Sequence, residues 1–231
     1  MGTVEWEGVP PGRRFLYLHG FASGPASKKG RAVSERLARH GIGVERLDLR
    51  VPSLERLSLA AMMLTVRHAM GGPRDRVVLL GSSLGGLTAA RVAEADPRVC
   101  MLVLLAPAFR FAARWRERLG PVGWDEWMRS GWLEVTDHAS GGAARVHADF
   151  AREAEALDAS LGPAPDIRVP TLILHGRNDE VVPVSYSRTF ASGRRHVRLI
   201  EVDDDHELLR ALPEILDEIE RFLAPALGEG G

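Results

Sequence analysis

Short apolar runs alternate with longer amphipathic stretches along most of this chain. Residues 14–19 (RFLYLH), 44–49, 76–82, 99–105, 169–175 (VPTLILH) and 196–202 (HVRLIEV) read as strands. Helices are expected between them, over about 26–39, over 54–70 with Leu57, Ala61 and Leu64 on one face, and from the end of the third strand to about 95. A closing helix places Leu208, Leu212, Ile215, Ile219 and Phe222 on a single stripe. Strands apolar on both faces and separated by helices predict an α/β fold, a mostly parallel sheet covered by helices on both sides. Residues 3–7 are the one candidate for an extra strand at the N-terminal edge, and the tail APALGEGG is expected to fray.

The alternation breaks after the fourth strand. Roughly sixty residues separate it from the fifth, where a crossover commonly needs a dozen or two. The segment holds four of the five tryptophans, Trp115, Trp124, Trp127 and Trp132, then a helical pattern over 144–157 and a GPAP linker at 162–165. The chain therefore divides into a core of residues 1–106 and 166–231 and a small helical cap of residues 107–165. Tryptophans seldom gather in a surface segment with nothing to cover, so Trp124, Trp127 and Trp132 become candidate substrate-binding residues. A surface subdomain with these rings as its private core is the plainer alternative.

Composition narrows the classes. A chain of 231 residues with 45% hydrophobic and 26% charged residues is an ordinary globular domain. A net charge of −1 leaves no electrostatic footprint for nucleic acid or an anionic membrane. No apolar run approaches a membrane span, and the first residues lack the apolar centre of a signal peptide. Cys100 is the single cysteine, which rules out an internal disulfide. The expectation is a cytoplasmic protein, monomer or homodimer, without a nucleic-acid partner.

The chemistry is carried by RVVLLGSSLGGLTAARVA, residues 76–93. Gly81-Ser82-Ser83-Leu84-Gly85 fits G-x-S-x-G, with an apolar strand before it and an alanine-rich helix after it. The turn must be so tight that side chains two positions either side of Ser83 would collide, and the helix it opens aims free N–H groups at whatever Ser83 attacks. A serine needs a base, and the base an orienting acid. His206 follows the sixth strand and Asp179 the fifth, giving the chain order Ser83, Asp179, His206 expected of a nucleophile-elbow hydrolase. Plainer roles exist for both: His206 as a cap of the closing helix, Asp179 as the acid of a turn before Pro183. Any of Asp203, Asp204 and Asp205 is a substitute orienter. The oxyanion of an acyl-transfer intermediate needs fixed N–H donors, assigned to Leu84 and to Phe21 in the loop after the first strand, with His19 ordering that loop. No metal or cofactor is expected: H-E-x-x-H and paired cysteines are absent, and GSSLGG has neither a P-loop lysine nor dinucleotide spacing.

YLHGF, GSSLGG, HGRNDEVVP and DDDHEL together resemble the α/β-hydrolase superfamily, and YLHGFASGPASKK is similar to a branch of small bacterial esterase-like proteins, with a layout also like that of acyl-thioesterases. The likeness covers essentially the whole chain except the 107–165 insertion. It implies the α/β-hydrolase fold and a serine hydrolase acting on an ester or thioester of a small molecule, with a cap inserted between sheet strands. A serine at position 83 disfavours the dehalogenase and epoxide-hydrolase branches, which need aspartate there. The same triad would serve a peptidase or a C–C hydrolase, while a binding protein with vestigial catalysis is the alternative that an intact triad argues against.

Overall fold

Along the first strand of the computed structural model, which describes residues 13–228, side chains alternate between two apolar layers. Strand β1 (Arg13–Leu18) sends Leu16 and Leu18 into one buried cluster and Phe15 and Tyr17 into the other. The following elements are α1 (Lys28–Ala38), β2 (Val44–Leu47), α2 (Leu59–Ala69), β3 (Arg76–Ser82), α3 (Leu84–Ala95) and β4 (Val99–Leu105). Beyond the insertion come β7 (Thr171–Gly176), α6 (Val184–Ala191), β8 (Val197–Val202) and α7 (Leu212–Gly228). The described strands of the main sheet run in the order β2-β1-β3-β4-β7-β8, and every pairing is parallel. Helices α2 and α3 cover one face and α1 and α7 the other. The α/β expectation is met.

Three boundaries depart from the reading above. Helix α2 starts at Leu59 because Ser58 caps it, its side chain accepting the Ala61 N–H, so Leu54 and Leu57 precede it. Leu208 is buried but stands outside α7 with φ of 55°, a left-handed turn residue and not part of the helical stripe. Helix α7 runs on to Gly228, through most of the stretch expected to fray, while residues 229–231 and the candidate strand at 3–7 lie outside the described residues. Helix α6, which had no strong periodicity to announce it, was not anticipated.

The inserted segment is less helical than expected. Helix α4 (Phe111–Ser130) breaks at Gly120, whose φ of 66° and ψ of 174° precede Pro121. Strands β5 (Trp132–Thr136) and β6 (Ala143–His147) then form an antiparallel hairpin, and α5 (Asp149–Leu161) follows. Residues 144–147, assigned above to a helix, are therefore a strand. Val146 is their buried position, while Ala143 and Arg145 face out, which is strand alternation. Glu153 of α5 ties the segment down by capping α2, accepting the Leu59 and Ala60 N–H groups at 3.0 and 2.8 Å and the Ser58 hydroxyl at 3.1 Å. At the hairpin tip the His138 N–H donates to the Ala22 carbonyl at 2.7 Å, docking it on the loop after β1.

Because β2 lies on one side of β1 and β3 on the other, the connections leaving β1 and β3 diverge at that point of the sheet. Ligand crevices of open parallel sheets form there, beyond the carboxyl ends of the strands.

Candidate active site

Ser83 is the residue between β3 and α3, with φ of 51° and ψ of −115°. A non-glycine residue there is strained, and such strain persists where the surroundings over-determine it. They do so here. The Ser83 N–H donates to the Leu105 carbonyl at 2.9 Å, and the Ser83 carbonyl accepts from Ala108 at 3.0 Å. A Cβ on Gly81 would sit 2.4 Å from the Gly85 carbonyl oxygen, and one on Gly85 would sit 2.2 Å from that of Leu18. Backbone thus packs on backbone across the turn, which is why both positions need glycine. Gly85→Ala is expected to destabilise the fold toward or beyond the upper end of the about 1–3 kcal/mol usual for overpacking. Gly72→Ala, where nothing lies within 4 Å, is the control, expected within about 0.5 kcal/mol of wild type in urea denaturation.

His206 arrives on the loop after β8. That loop lies directly on the end of β7, since a Cβ on Gly176 would meet the Asp204 and Asp205 carbonyl oxygens at 2.4 Å. The structure brings the three predicted side chains into one line. His206 Nε2 lies 3.0 Å from Ser83 Oγ, and His206 Nδ1 lies 2.7 Å from Asp179 Oδ2. The two roles considered for Asp179 coexist. Its Oδ1 accepts the Val181 and Val182 N–H groups at 2.9 and 2.7 Å, making the turn, while Oδ2 faces the histidine. Burial pushes the Asp179 carboxyl up, but hydrogen bonds from His175 and His206, the charge of His206 and the Val182 amide outweigh it and hold the group well below the usual carboxylate range. An ionised acceptor fixes the proton of the imidazole on Nδ1, leaving Nε2 bare to accept from the serine.

The acidic loop does other work. Asp204, buried, accepts the Asp205 and Ala211 N–H groups, Asp205 accepts that of Glu207, and Asp203 bonds Asn178 and pairs with Arg210. The reading of the sequence did not single out His175. It is fully buried, with Nε2 donating to the Val182 carbonyl at 2.8 Å and lying 3.1 Å from Asp179 Oδ2, and with Ser187 on Nδ1 at 2.8 Å. A histidine inside an otherwise apolar buried strand was the available signal, since it must find partners.

Leu84 opens α3, so its N–H is among the first-turn donors that have no partner within the helix. Gly20, beside Phe21, packs on Ser83: a Cβ there would lie 3.3 Å from the Ser83 Cβ. His19 orders this loop from below, Nδ1 donating to the Gly20 carbonyl at 2.8 Å and Nε2 accepting the Leu49 N–H at 2.9 Å. Burial lowers the pKa of His19, which favours the neutral ring this pairing requires.

A cavity of about 760 Å³ opens above Ser83 and His206, with Phe21, Phe111, Trp115 and Leu119 on its apolar side. The tryptophan assignment needs correcting. Trp124 and Trp127 are 4% and 1% exposed and do not line the cavity; they pack edge to face at 5.6 Å, with Trp127 Nε1 donating to the Val146 carbonyl at 3.1 Å. Trp132 packs on His147 beneath Arg56 and Arg145, also away from the cavity. Trp115 is the ring that reaches it, against Phe21 at 5.4 Å and Phe111 at 5.9 Å. The kink at Gly120 separates the half of α4 carrying Trp115 from the half carrying Trp124 and Trp127.

Comparison with known proteins agrees with this architecture. A family model described as "Uncharacterised protein family (UPF0227)" matches residues 14–224. No curated protein matches the chain. Among solved structures, Est1E from Butyrivibrio proteoclasticus with bound ferulic acid superposes with a TM-score of 0.79 over 94% of this chain and 90% of its own, at 22% identity. Alpha/beta hydrolase domain-containing protein 10 from mouse gives 0.76 over 96% and 93%, at 20% identity. The esterase domain of a Rhodothermus marinus protein gives 0.64 over 96% and 92%, at 19% identity. The fold is the α/β-hydrolase fold.

Proposed function

The chain belongs to the uncharacterised protein family UPF0227, and we propose that it is a serine hydrolase that cleaves a carboxylic ester or thioester of a small molecule through an acyl-enzyme. The observation that carries this reading is the Ser83–His206–Asp179 line, at 3.0 and 2.7 Å, beneath the cavity. The likeness in fold to the esterase domain of the Rhodothermus marinus protein supports it.

The mechanism follows from which atom holds which proton. Ser83 Oγ attacks the substrate carbonyl carbon while its proton passes to His206 Nε2, and Asp179 stabilises the imidazolium without taking the proton. Negative charge collects on the former carbonyl oxygen, where the Leu84 and Phe21 N–H groups are the donors. One such donor is worth about 10²–10³ in kcat. His206 returns the proton to the departing alcohol or thiol, leaving the acyl group on Ser83. Water then attacks with His206 as base, and the acid is released.

Residues 107–165 act in this reading as a cap over the acyl side, and residues 13–106 and 166–228 as the described part of the core. Trp115→Ala is expected to change relative kcat/KM between short and medium acyl chains, by about 1–3 kcal/mol at most. Trp127→Ala should slow all chain lengths alike and cost about 3–5 kcal/mol of stability, because its ring fills the core of the segment. Kinetics over an acyl series, as oxygen esters and as thioesters, with melting curves beside them, separate the two effects. A Trp115 variant that loses all chain lengths equally contradicts the cap.

A further inference from the structure

Helix α1 enters the cavity with the wrong charges. Ser27, Lys28 and Lys29 all line it, and the first turn carries two lysines and no acid. The N-terminal end of a helix is its positive end and favours anions, so two cations there are locally unfavourable. Lys29 is moreover only 9% exposed. Its ammonium makes one hydrogen bond, to the His206 carbonyl at 3.3 Å, and no carboxylate among the described residues lies within ion-pair distance. Burial lowers its pKa against the more distant charges of Glu207, Asp179, Asp205 and Asp204.

A second buried donor faces the same space. Tyr17 lines the cavity and is 1% exposed; its buried hydroxyl has no well-formed hydrogen bond, with only the Ser27 and Ser82 hydroxyls beside it. Burial raises the Tyr17 pKa, so the group stays protonated. An ammonium with one acceptor for its three N–H groups and a hydroxyl with no well-formed hydrogen bond are costly when buried, and neither group takes part in the acyl transfer described above. The whole lining has Lys28, Lys29, Arg114 and Arg118 against Glu134 and Glu207, an excess of positive charge.

We infer that the α1 end of the cavity, built from the Lys29 ammonium and the Tyr17 hydroxyl beside the positive end of that helix, binds a carboxylate of the substrate, so that the preferred substrates are esters or thioesters bearing a second, anionic group near the scissile bond. The inference rests on the serine-hydrolase reading and names the substrate class. The anion sits close to the reaction because Lys29 bonds the backbone of the residue whose ring holds Ser83. It supplies further acceptors for Lys29, one for Tyr17, and the charge that the helix end favours.

Two matched pairs of nitrophenyl or simple alcohol esters test it: glutaryl against pentanoyl, with the charge on the acyl part, and butyryl esters of 4-hydroxybenzoate against 4-hydroxybenzamide, with the charge on the leaving group. Wild type is expected to favour the anionic member of one pair by at least about tenfold in kcat/KM, as a charge-assisted hydrogen bond supplies, and that pair identifies which part carries the anion. Lys29→Met should collapse that ratio, and Tyr17→Phe should reduce it. Glutarate alone should raise the melting temperature of wild type but not of Lys29→Met, a readout that needs no turnover. The inference is overturned if neutral esters are preferred in both pairs, or if Lys29→Met scales all substrates alike, as a purely structural lysine would. Neutral esters cleaved at Ser83 without anionic preference would sink this inference and leave the hydrolase reading standing. Glutarate stabilisation through Lys29 without turnover of any ester would do the reverse.

Discussion

Ser83→Ala is expected to abolish ester turnover and labelling by a fluorophosphonate together, with kcat falling by about 10⁴- to 10⁶-fold, as when a nucleophile that works as a unit with its base is removed. The fold should survive. Ala22 and Ala106 already occupy positive φ in this chain, at 50° and 44°, and the backbone hydrogen bonds of residue 83 do not involve its hydroxyl. Ser82→Ala is the informative companion. Ser82 ends β3 and is 3% exposed, and His206 bonds Ser83 instead. The Ser82 variant should keep its labelling. If it is silent and Ser83→Ala is labelled, the register along the turn is wrong.

His206→Ala should match Ser83→Ala in severity, because the serine has no other base within hydrogen-bond reach among the described residues. Asp179→Asn tests the relay by a subtler route. The amide oxygen would keep the Val181 and Val182 N–H bonds, turning the NH₂ toward His206 Nδ1. A donor facing Nδ1 forces the imidazole proton onto Nε2, which then points at Ser83 and cannot receive its proton. The loss in kcat should approach about 10⁴-fold. Asp204→Asn should instead weaken the approach to α7, where its carboxylate accepts the N–H of Ala211 just before the helix, and lower stability while the folded fraction still labels. Near-full activity in Asp179→Asn with loss in a variant of Asp203, Asp204 or Asp205 would move the orienting acid to the later loop.

What could be read from the residues and what could not divides along physical lines. Ser83, Asp179 and His206 were legible because each follows a buried apolar strand, and a parallel sheet delivers its strand ends to one edge. Gly81 and Gly85 were legible because a turn with backbone on backbone leaves one residue type. The β5–β6 hairpin was misread because Ala and Arg at 143–145 carry a strong helix preference, which cross-strand pairing and the burial of Val146 override. Its turn, with Ser140, Gly141 and Gly142, was the signal to weigh more heavily. Trp115 was passed over for Trp124 and Trp127 because clustering in sequence says nothing about which half of a kinked helix meets the cavity. Lys29 closes the stretch YLHGFASGPASKK, but nothing in the residues announces a buried cation there. A lysine near the start of an amphipathic helix is ordinarily solvated, and only the packing of α1 beside the His206 loop makes it a buried cation.

The most direct test of the account is to react the wild-type protein with a fluorophosphonate and locate the adduct by peptide mass spectrometry. The account predicts a single adduct, on the peptide containing Ser83 and at that residue, formed rapidly in wild type and scarcely at all in His206→Ala. An adduct on Ser82, Ser27 or any other serine, or labelling of Ser83 at the same rate without His206, would contradict it.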